Sequence, residues 1–351
     1  MSEAKGFSEV LVIAMDTNEL KAIAQAMVAN GKGILAADES FSTANMRFEK
    51  LGIPQTEEMR RAYREMLFTA AGVGKFFSGV ILFDETIRQS TQAGVPFPQV
   101  LKEAGIIPGI KVDLGAKPLA LTPKELITEG LDGLRDRLIE YYKLGARFAK
   151  WRAVISIGND RTPSQRCIET NAHALARYAA LCQENGIVPI VEPEVLMDGY
   201  HTLERSFDVH QTVLKTVFQQ IYVQGIALDQ MILKPSMVIP GQQSPEQVSV
   251  EQVAHATVRC LLDCVPASVP GCAFLSGGQG DEQATAHLNA MNALYSGKLP
   301  WALTFSYGRA LQQAAMQTWM GRADQVAAAQ RILYHRAESN SMAALGKYAG
   351  G

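Results

Sequence analysis

Charged residues recur where apolar, strand-like runs end. Asp38 follows Gly33–Ala37, Lys111 and Asp113 close Ile106–Val112, and Lys150 and Arg152 lie within Phe148–Ile155. Glu192 and Glu194 lie within Val188–Val195, and Lys234 sits in Met231–Val238 just ahead of Pro235. Buried parallel strands rarely carry such side chains. Residues two apart on a strand share a face, so Lys150 with Arg152, and Glu192 with Glu194, each aim one way. A lysine becomes a nucleophile when desolvation or neighbouring cations destabilise its ammonium. Lys111, Lys150 and Arg152 are such neighbours for Lys234, and the carboxylates supply proton transfer. An amine with acid/base carboxylates can form an imine with a ketone. The protonated imine then draws electrons from the adjacent carbon, as retro-aldol cleavage requires. The alternative, a set of unrelated buried ion pairs, would gather these charges at equivalent strand positions by chance.

Two elements accompany them that suit phosphate. Ser276-Gly277-Gly278 ends the seventh apolar run, offering backbone N–H groups and a hydroxyl. Ser306 ends the eighth, and Gly308-Arg309 follow it at the start of a helical stretch. Barrels frequently hold phosphate after strands seven and eight. Ser40, Thr43, Arg47 and Lys111 form a second candidate group across the barrel mouth. Metal chemistry finds little support. His173, His201, His210, His255, His287 and His335 lie outside the strand runs and form no H-E-x-x-H. The five cysteines form no C-x-x-C; Cys260 and Cys264 are one helical turn apart but lack further ligands. A zinc-dependent aldol mechanism is therefore disfavoured.

These residues need a frame that brings strand ends together. The eight runs are Gly33–Ala37, Phe77–Phe83, Ile106–Val112, Phe148–Ile155, Val188–Val195, Met231–Val238, Cys272–Ser276 and Ala302–Ser306. Between them lie the helical patterns Thr56–Ala71, Leu131–Leu144, Ser164–Asn185, Leu203–Gln224, Val250–Cys264, Asp281–Leu294 and Gly308–Met320. Alternation of this kind implies parallel strands. Eight units in 351 residues fit an α/β fold of the closed (β/α)8 TIM barrel type. An open doubly wound sheet is the alternative; no G-x-G-x-x-G follows the first run, which counts against it. Met1–Asn30 reads as an N-terminal helix laid on the barrel and Gln325–Leu345 as a C-terminal helical extension. The whole, 1–351, reads as one domain with its barrel at 31–320.

Composition narrows the partners. With 33 basic and 35 acidic side chains the net charge is -2, so nothing draws the chain generally to nucleic acid or anionic membrane. The run Val10–Met15 is far too short to span a bilayer. No secretory or Arg-rich leader pattern is visible, so a cytoplasmic setting with reduced thiols is expected.

With these residues in view, the chain closely resembles class I fructose-bisphosphate aldolases. The matching segments include Gly31–Ser40, Gly79–Phe83, Pro96–Val100, Gly109–Asp113, Gly130–Leu134, Phe148–Arg152, Asn185–Glu194, Leu233–Pro235, Phe274–Gln279 and Trp301–Leu311. The likeness runs from Gly31 to Tyr348, in the family's order. It implies a (β/α)8 barrel that reversibly cleaves fructose 1,6-bisphosphate to dihydroxyacetone phosphate and glyceraldehyde 3-phosphate in glycolysis and gluconeogenesis. It implies no metal or cofactor, and a homo-oligomer, commonly a tetramer. By motif, Lys234 matches the Schiff-base lysine, Glu192 the acid/base that dehydrates the carbinolamine, and Asp38 the acceptor of the C4 hydroxyl proton. Lys150 and Glu194 match supporting polar groups. Ser276, Gly277, Gly308 and Arg309 match the C1-phosphate site; Ser40, Thr43 and Lys111 match the C6-phosphate side. Arg47 and Arg60 match substrate-side arginines.

Two departures stand out. The family's animal and plant members carry a C-terminal tail ending in Tyr, implicated in proton exchange on the enamine, whereas this sequence ends at Gly346–Gly351. Slow C3–H exchange relative to cleavage is therefore expected. Phe41 stands where the family usually has a small polar residue. On the same machinery another ketose bisphosphate, such as sedoheptulose 1,7-bisphosphate, remains a rival substrate. A non-enzymatic scaffold is the other rival, and the presence of every key group argues against it.

Overall fold

The computed structural model describes residues 17–122, 124–158 and 162–350. The strands are β1 Gly33–Ala37, β2 Phe77–Leu82, β3 Ile107–Lys111, β4 Ala116–Pro118, β5 Leu126–Thr128, β6 Phe148–Ile155, β7 Val188–Val195, β8 Ile232–Leu233, β9 Gly271–Phe274 and β10 Ala302–Tyr307. Eight of them close a parallel barrel in the ring order β1-β10-β9-β8-β7-β6-β3-β2, so the chain is a TIM barrel. β4 and β5 form a separate antiparallel hairpin beyond β3.

The helices between strands start where the local chemistry favours it. Gln165–Glu184 is capped by the Ser164 hydroxyl, which accepts from Cys167 N–H at 3.2 Å. Val250–Cys264 begins with a reciprocal Ser249/Gln252 capping box. Its bounds, and those of Asp281–Leu294, coincide with the sequence expectation; the other expected helices differ by up to three residues at an end. Three further helices were not anticipated: Phe41–Glu49, Asp84–Ile87 and Phe97–Glu103. They are short and interrupted by Pro, Asp or Thr, which weakens a periodic signal.

One strand departs from expectation. The run Met231–Val238 keeps only Ile232 and Leu233 in the ladder. Pro235 has no N–H to donate. Other bonds hold the segment instead. Lys234 N–H donates to Val191 O at 2.8 Å, and Pro235 O accepts from Leu275 N–H at 3.1 Å. The Ser236 hydroxyl donates to Val195 O at 2.9 Å and accepts from Val195 N–H at 3.1 Å.

The barrel interior divides across its height. At the N-terminal end of the strands, Ile34, Ile81, Phe148, Val188, Ile190, Ile232 and Ala273 form one apolar cluster. Leu20, Ala24 and Met27 of the helix Thr17–Met27 close it from below. Phe148 needs glycine neighbours: a Cβ on Gly109 would lie 2.2 Å from its ring, and one on Gly79 2.9 Å. Burying that ring stabilises the fold by about 1.5–3 kcal/mol. The N-terminal helix thus lies on the barrel as expected, over residues 17–27; the earlier part of that expectation, with the run Val10–Met15, falls outside the described residues. The C-terminal helix Val326–Ala344 packs alongside, its Ser341 hydroxyl donating to Gly31 O at 2.6 Å. Among the described residues no helix is long and apolar enough to cross a membrane.

Candidate active site

At the C-terminal end of the strands the barrel opens into a cavity of about 720 Å³. The same alternation that places Val188 and Ile190 inside β7 also places Glu192 and Glu194 inside, one and two pleats further on. On β6, Phe148 is followed inward by Lys150, Arg152 and Val154; on β1, Ile34 and Ala36 lead to Asp38.

These groups meet in a chain of ion pairs. Lys150 Nζ lies 2.7 Å from Asp38 Oδ2 and 3.4 Å from Glu192 Oε2. Lys234 Nζ lies 3.2 Å from Glu192 Oε1. Glu192 therefore stands between two ammonium groups, and its Oε2 is buried without a hydrogen bond. Lys150, Glu192 and Lys234 are all buried. Burial alone would raise the Asp38 carboxyl, but the ammonium groups of Lys150, Lys234 and Lys111 outweigh it and hold it well below the usual carboxylate range. Burial would likewise lower Lys150, but Asp38, Glu192 and Asp113 outweigh it and hold this amine protonated far into alkali. Arg152 pairs with Glu194, and Lys111 Nζ lies 2.7 Å from Asp113 Oδ1.

The phosphate candidates line the same cavity. Ser276, Gly277 and Gly278 follow β9, and Gly308 precedes the helix Arg309–Trp319 with no side chain capping its first N–H groups. Ser306 Oγ is buried and makes no hydrogen bond. Lys111, on β3, stands across the ring from β9. Ser40 caps the helix Phe41–Glu49, whose first turn brings Ser42 and Thr43 to the cavity. This group follows β1, which neighbours β10, so Arg47 and Arg309 border one shared groove rather than facing each other across the mouth.

Of the residues singled out in the sequence, Asp38, Ser40, Thr43, Arg47, Lys111, Lys150, Arg152, Glu192, Glu194, Lys234, Ser276, Gly277, Gly278, Ser306, Gly308 and Arg309 line the cavity. Arg60 does not. Its Nε and Nη2 both donate to the Glu85 carboxylate, at 2.8 and 2.7 Å, and its guanidinium lies 4.9 Å over the Phe41 ring. Phe41 itself meets Phe83 edge-on at 5.1 Å, and Phe83 lines the cavity. Sequence reasoning passed over Glu39 and Asp198 in the lining, and named Asp113 among the strand-end charges without giving it a role. Asp113 carried a signal, two residues beyond Lys111. Glu39 carried none, because its partners Arg47 and Arg64 lie on two later helices. Among the described residues no group of three or more His, Cys, Asp or Glu is arranged to hold a metal ion.

Comparison with known proteins agrees with this geometry. The family model described as fructose-bisphosphate aldolase class-I matches residues 19–351. The chain is 60% identical over 337 residues to a probable fructose-bisphosphate aldolase class 1 of Xanthomonas campestris pv. campestris, covering 96% of this chain and 100% of that protein. It is 52% identical over 334 residues to the cytosolic fructose-bisphosphate aldolase 4 of Arabidopsis thaliana, covering 95% of this chain and 84% of that one. Among solved structures it superposes with a TM-score of 0.93 on the Plasmodium falciparum aldolase, determined in complex with TRAP and a small-molecule inhibitor. That chain is 49% identical, with 95% of this chain and 96% of that one covered. A barrel with a buried lysine–carboxylate chain at its C-terminal mouth, matched over nearly its whole length, belongs to the class-I fructose-bisphosphate aldolase family, carbon–carbon lyases of glycolysis.

Proposed function

We propose that cleavage of fructose 1,6-bisphosphate in this barrel runs through an imine on Lys234. The observation that carries this reading is the buried contact of Lys234 Nζ with Glu192, 3.2 Å away at the floor of the cavity. Lys234 passes one ammonium proton to the Glu192 carboxylate, and the freed amine adds to the C2 carbonyl, giving a carbinolamine. Glu192 donates a proton to the departing hydroxyl, water leaves, and a protonated imine remains. Lys150, held as a fixed cation by Asp38 and Glu192, stabilises the carboxylates through these transfers.

Asp38 then takes the C4 hydroxyl proton as the C3–C4 bond breaks. Its basicity is depressed, so that proton moves late, when the hydroxyl is becoming an aldehyde and its acidity is rising. The bonding pair flows into the imine, leaving an enamine, and glyceraldehyde 3-phosphate departs. Protonation at C3 and hydrolysis of the imine release dihydroxyacetone phosphate and restore Lys234. The imine is the electron sink, so this route uses neither a metal nor an organic cofactor. Glu194 holds Arg152 toward the substrate. Ser276, Gly277, Gly278, Ser306, Gly308 and Arg309 take the C1 phosphate, and Ser40, Thr43, Arg47 and Lys111 the C6 phosphate.

We further propose a single catalytic domain that assembles as a homotetramer in the cytosol, on the family likeness. Five free cysteines are consistent with a reducing compartment. Phe41 packs edge-on behind Phe83, which lines the cavity, and we propose that this backing favours the six-carbon over the seven-carbon bisphosphate; comparison of kcat/KM for the two decides this.

The defining experiment traps the imine. Protein, fructose 1,6-bisphosphate and EDTA are mixed, borohydride is added, and the modified peptide is mapped by mass spectrometry. An adduct on Lys234, absent in Lys234→Met, is expected, with kcat of that variant reduced on the order of 10⁴-fold or more. No adduct, together with activity lost to EDTA, would overturn the reading.

A further inference from the structure

We infer that His287, acting through Gln279, sets the shape of the loop Ser276–Gly278 and thereby the affinity for the substrate's C1 phosphate. This rests on the reading of that loop as the C1-phosphate site.

The loop is unusual backbone. Gly277 has φ +60 and Gly278 φ +100, the left-handed region, and a Cβ on Gly278 would lie 2.9 Å from Arg309 Nη2. Two such residues in succession turn the chain sharply back, so that Gln279 N–H donates to Ser276 O at 3.0 Å. Ser276 O also accepts from the Gln279 side chain, Nε2–H, at 3.2 Å. Both donors come from one residue, so the orientation of the Ser276–Gly277 peptide depends on how the Gln279 amide is held.

His287 holds it. Gln279 Oε1 lies 2.6 Å from His287 Nδ1, and an amide oxygen can only accept, so Nδ1 carries the proton. Burial pushes His287 down to about 4, so the ring is neutral at working pH and has one proton to place. The amide cannot reverse, because Oε1 would then face the Ser276 carbonyl, acceptor against acceptor. Gln279 and His287 are both buried, at 7% and 3% exposure, so water does not readily substitute for either bond. Neither residue lines the large cavity. They are positioning residues, linking the helix Asp281–Leu294 to the loop after β9.

Removing the His287 donor strands Oε1 as a buried acceptor. The amide then turns to find a partner, Ser276 O loses its side-chain donor, and the Ser276–Gly277 peptide is free to swing its N–H away from the phosphate. Lys234, Glu192 and Asp38 stand on other strands and keep their pairs. Phosphate affinity falls while chemistry in the bound complex is spared.

The test compares His287→Leu with His287→Asn, since the Asn side chain places an N–H where the Nδ1–H was. KM and kcat for fructose 1,6-bisphosphate and the competitive inhibition constant of inorganic phosphate are measured on the intact protein. His287→Leu is expected to raise KM and the phosphate inhibition constant roughly 10-fold with kcat within about two-fold. His287→Asn should stay near wild type. Gln279→Met, of similar shape, should match His287→Leu and carries the same test if the Leu variant does not fold. Equal impairment of the Leu and Asn variants, or unchanged phosphate inhibition in both Leu and Met variants, would sink the relay. Arg309→Ala separates the two levels. If it weakens phosphate and the relay variants do not, the relay alone is wrong. If it leaves phosphate inhibition unchanged, the phosphate reading of the site has failed.

Discussion

The two halves of the barrel interior use the same strands for opposite purposes. Below, β1, β6, β7 and β8 present Ile34, Phe148, Val188, Ile190 and Ile232, packed and closed by the helix Thr17–Met27. Above, the same strands or their C-terminal ends present Asp38, Lys150, Glu192, Glu194 and Lys234, all at the cavity. One pleat separates Ile190 from Glu192 on the same face of β7. The lower half is held by area removed from water and by close fit, as Phe148 against Gly79 and Gly109. The upper half is held by mutual compensation: each ammonium meets a carboxylate, and burial makes that dependence stronger. Rigid packing below fixes the strand positions from which the charges above are projected. The lower half should therefore answer to stability measurements and the upper half to kinetics and pH.

The sharpest way to break this contrast is Glu192→Gln. The shape is kept and one proton carrier is lost between two ammonium groups. We expect kcat to fall by about 10²–10⁴-fold, measured by coupled assay, with thermal unfolding shifted far less. A kcat within a few-fold of wild type would place the acid/base elsewhere.

Lys150→Met should cost about 3–5 kcal/mol of stability at pH 7, because it leaves Asp38 and Glu192 buried with less compensation. Here pH gives the sign. The Asp38 carboxyl is depressed in the fold, so its pairing stabilises above the ordinary carboxylate range and is lost as pH falls through the folded value. Without Lys150 that contribution shrinks and Asp38 protonates at higher pH. The Tm gap between wild type and variant should therefore narrow below about pH 4. A gap that stays constant with pH would mean that the loss is one of packing. On the alkaline side Lys150, raised in the fold, contributes fully below the ordinary lysine range, and that contribution is lost as pH rises from there through its elevated value.

The mildest test lies in the lower half. Gly109→Ala puts a methyl 2.2 Å from the Phe148 ring and should lower stability by about 1–3 kcal/mol through overpacking. The kcat of the folded fraction should stay near wild type. A kcat loss as large as the stability loss would show that the two halves are coupled more tightly than the comparison allows.

Much of the fold was legible in one dimension. Eight apolar runs alternating with helical periods read as a barrel because both periods are local properties of the chain. The limits of β8 were not legible, since Pro235 ends the ladder while the chain continues along the barrel by other bonds. The hairpin of β4 and β5 and the short helices near 41, 84 and 97 escaped because three to nine residues carry too little pattern. Lys150 with Arg152 and Glu192 with Glu194 could be placed on shared faces by counting. Arg60 could not be placed, because its side chain turns to Glu85, 25 residues away, and that choice is made by helix packing. Glu39 was missed for the same reason: the arginines that meet it belong to other elements.

By itself the sequence determined which residues face inward on each strand, since side chains alternate with a period of two whatever the strand packs against. It also determined that charge would gather at one end, because the charged residues fall at the same end of successive runs. The tertiary structure decided which charge meets which. The register between β6 and β7 sets Arg152 beside Glu192, and closure of the ring brings Asp38 from β1 to Lys150 on β6. Only there does Glu192 come to stand between Lys150 and Lys234. Such contacts depend on strand neighbours distant along the chain, on shear and on ring size, and no local pattern encodes them.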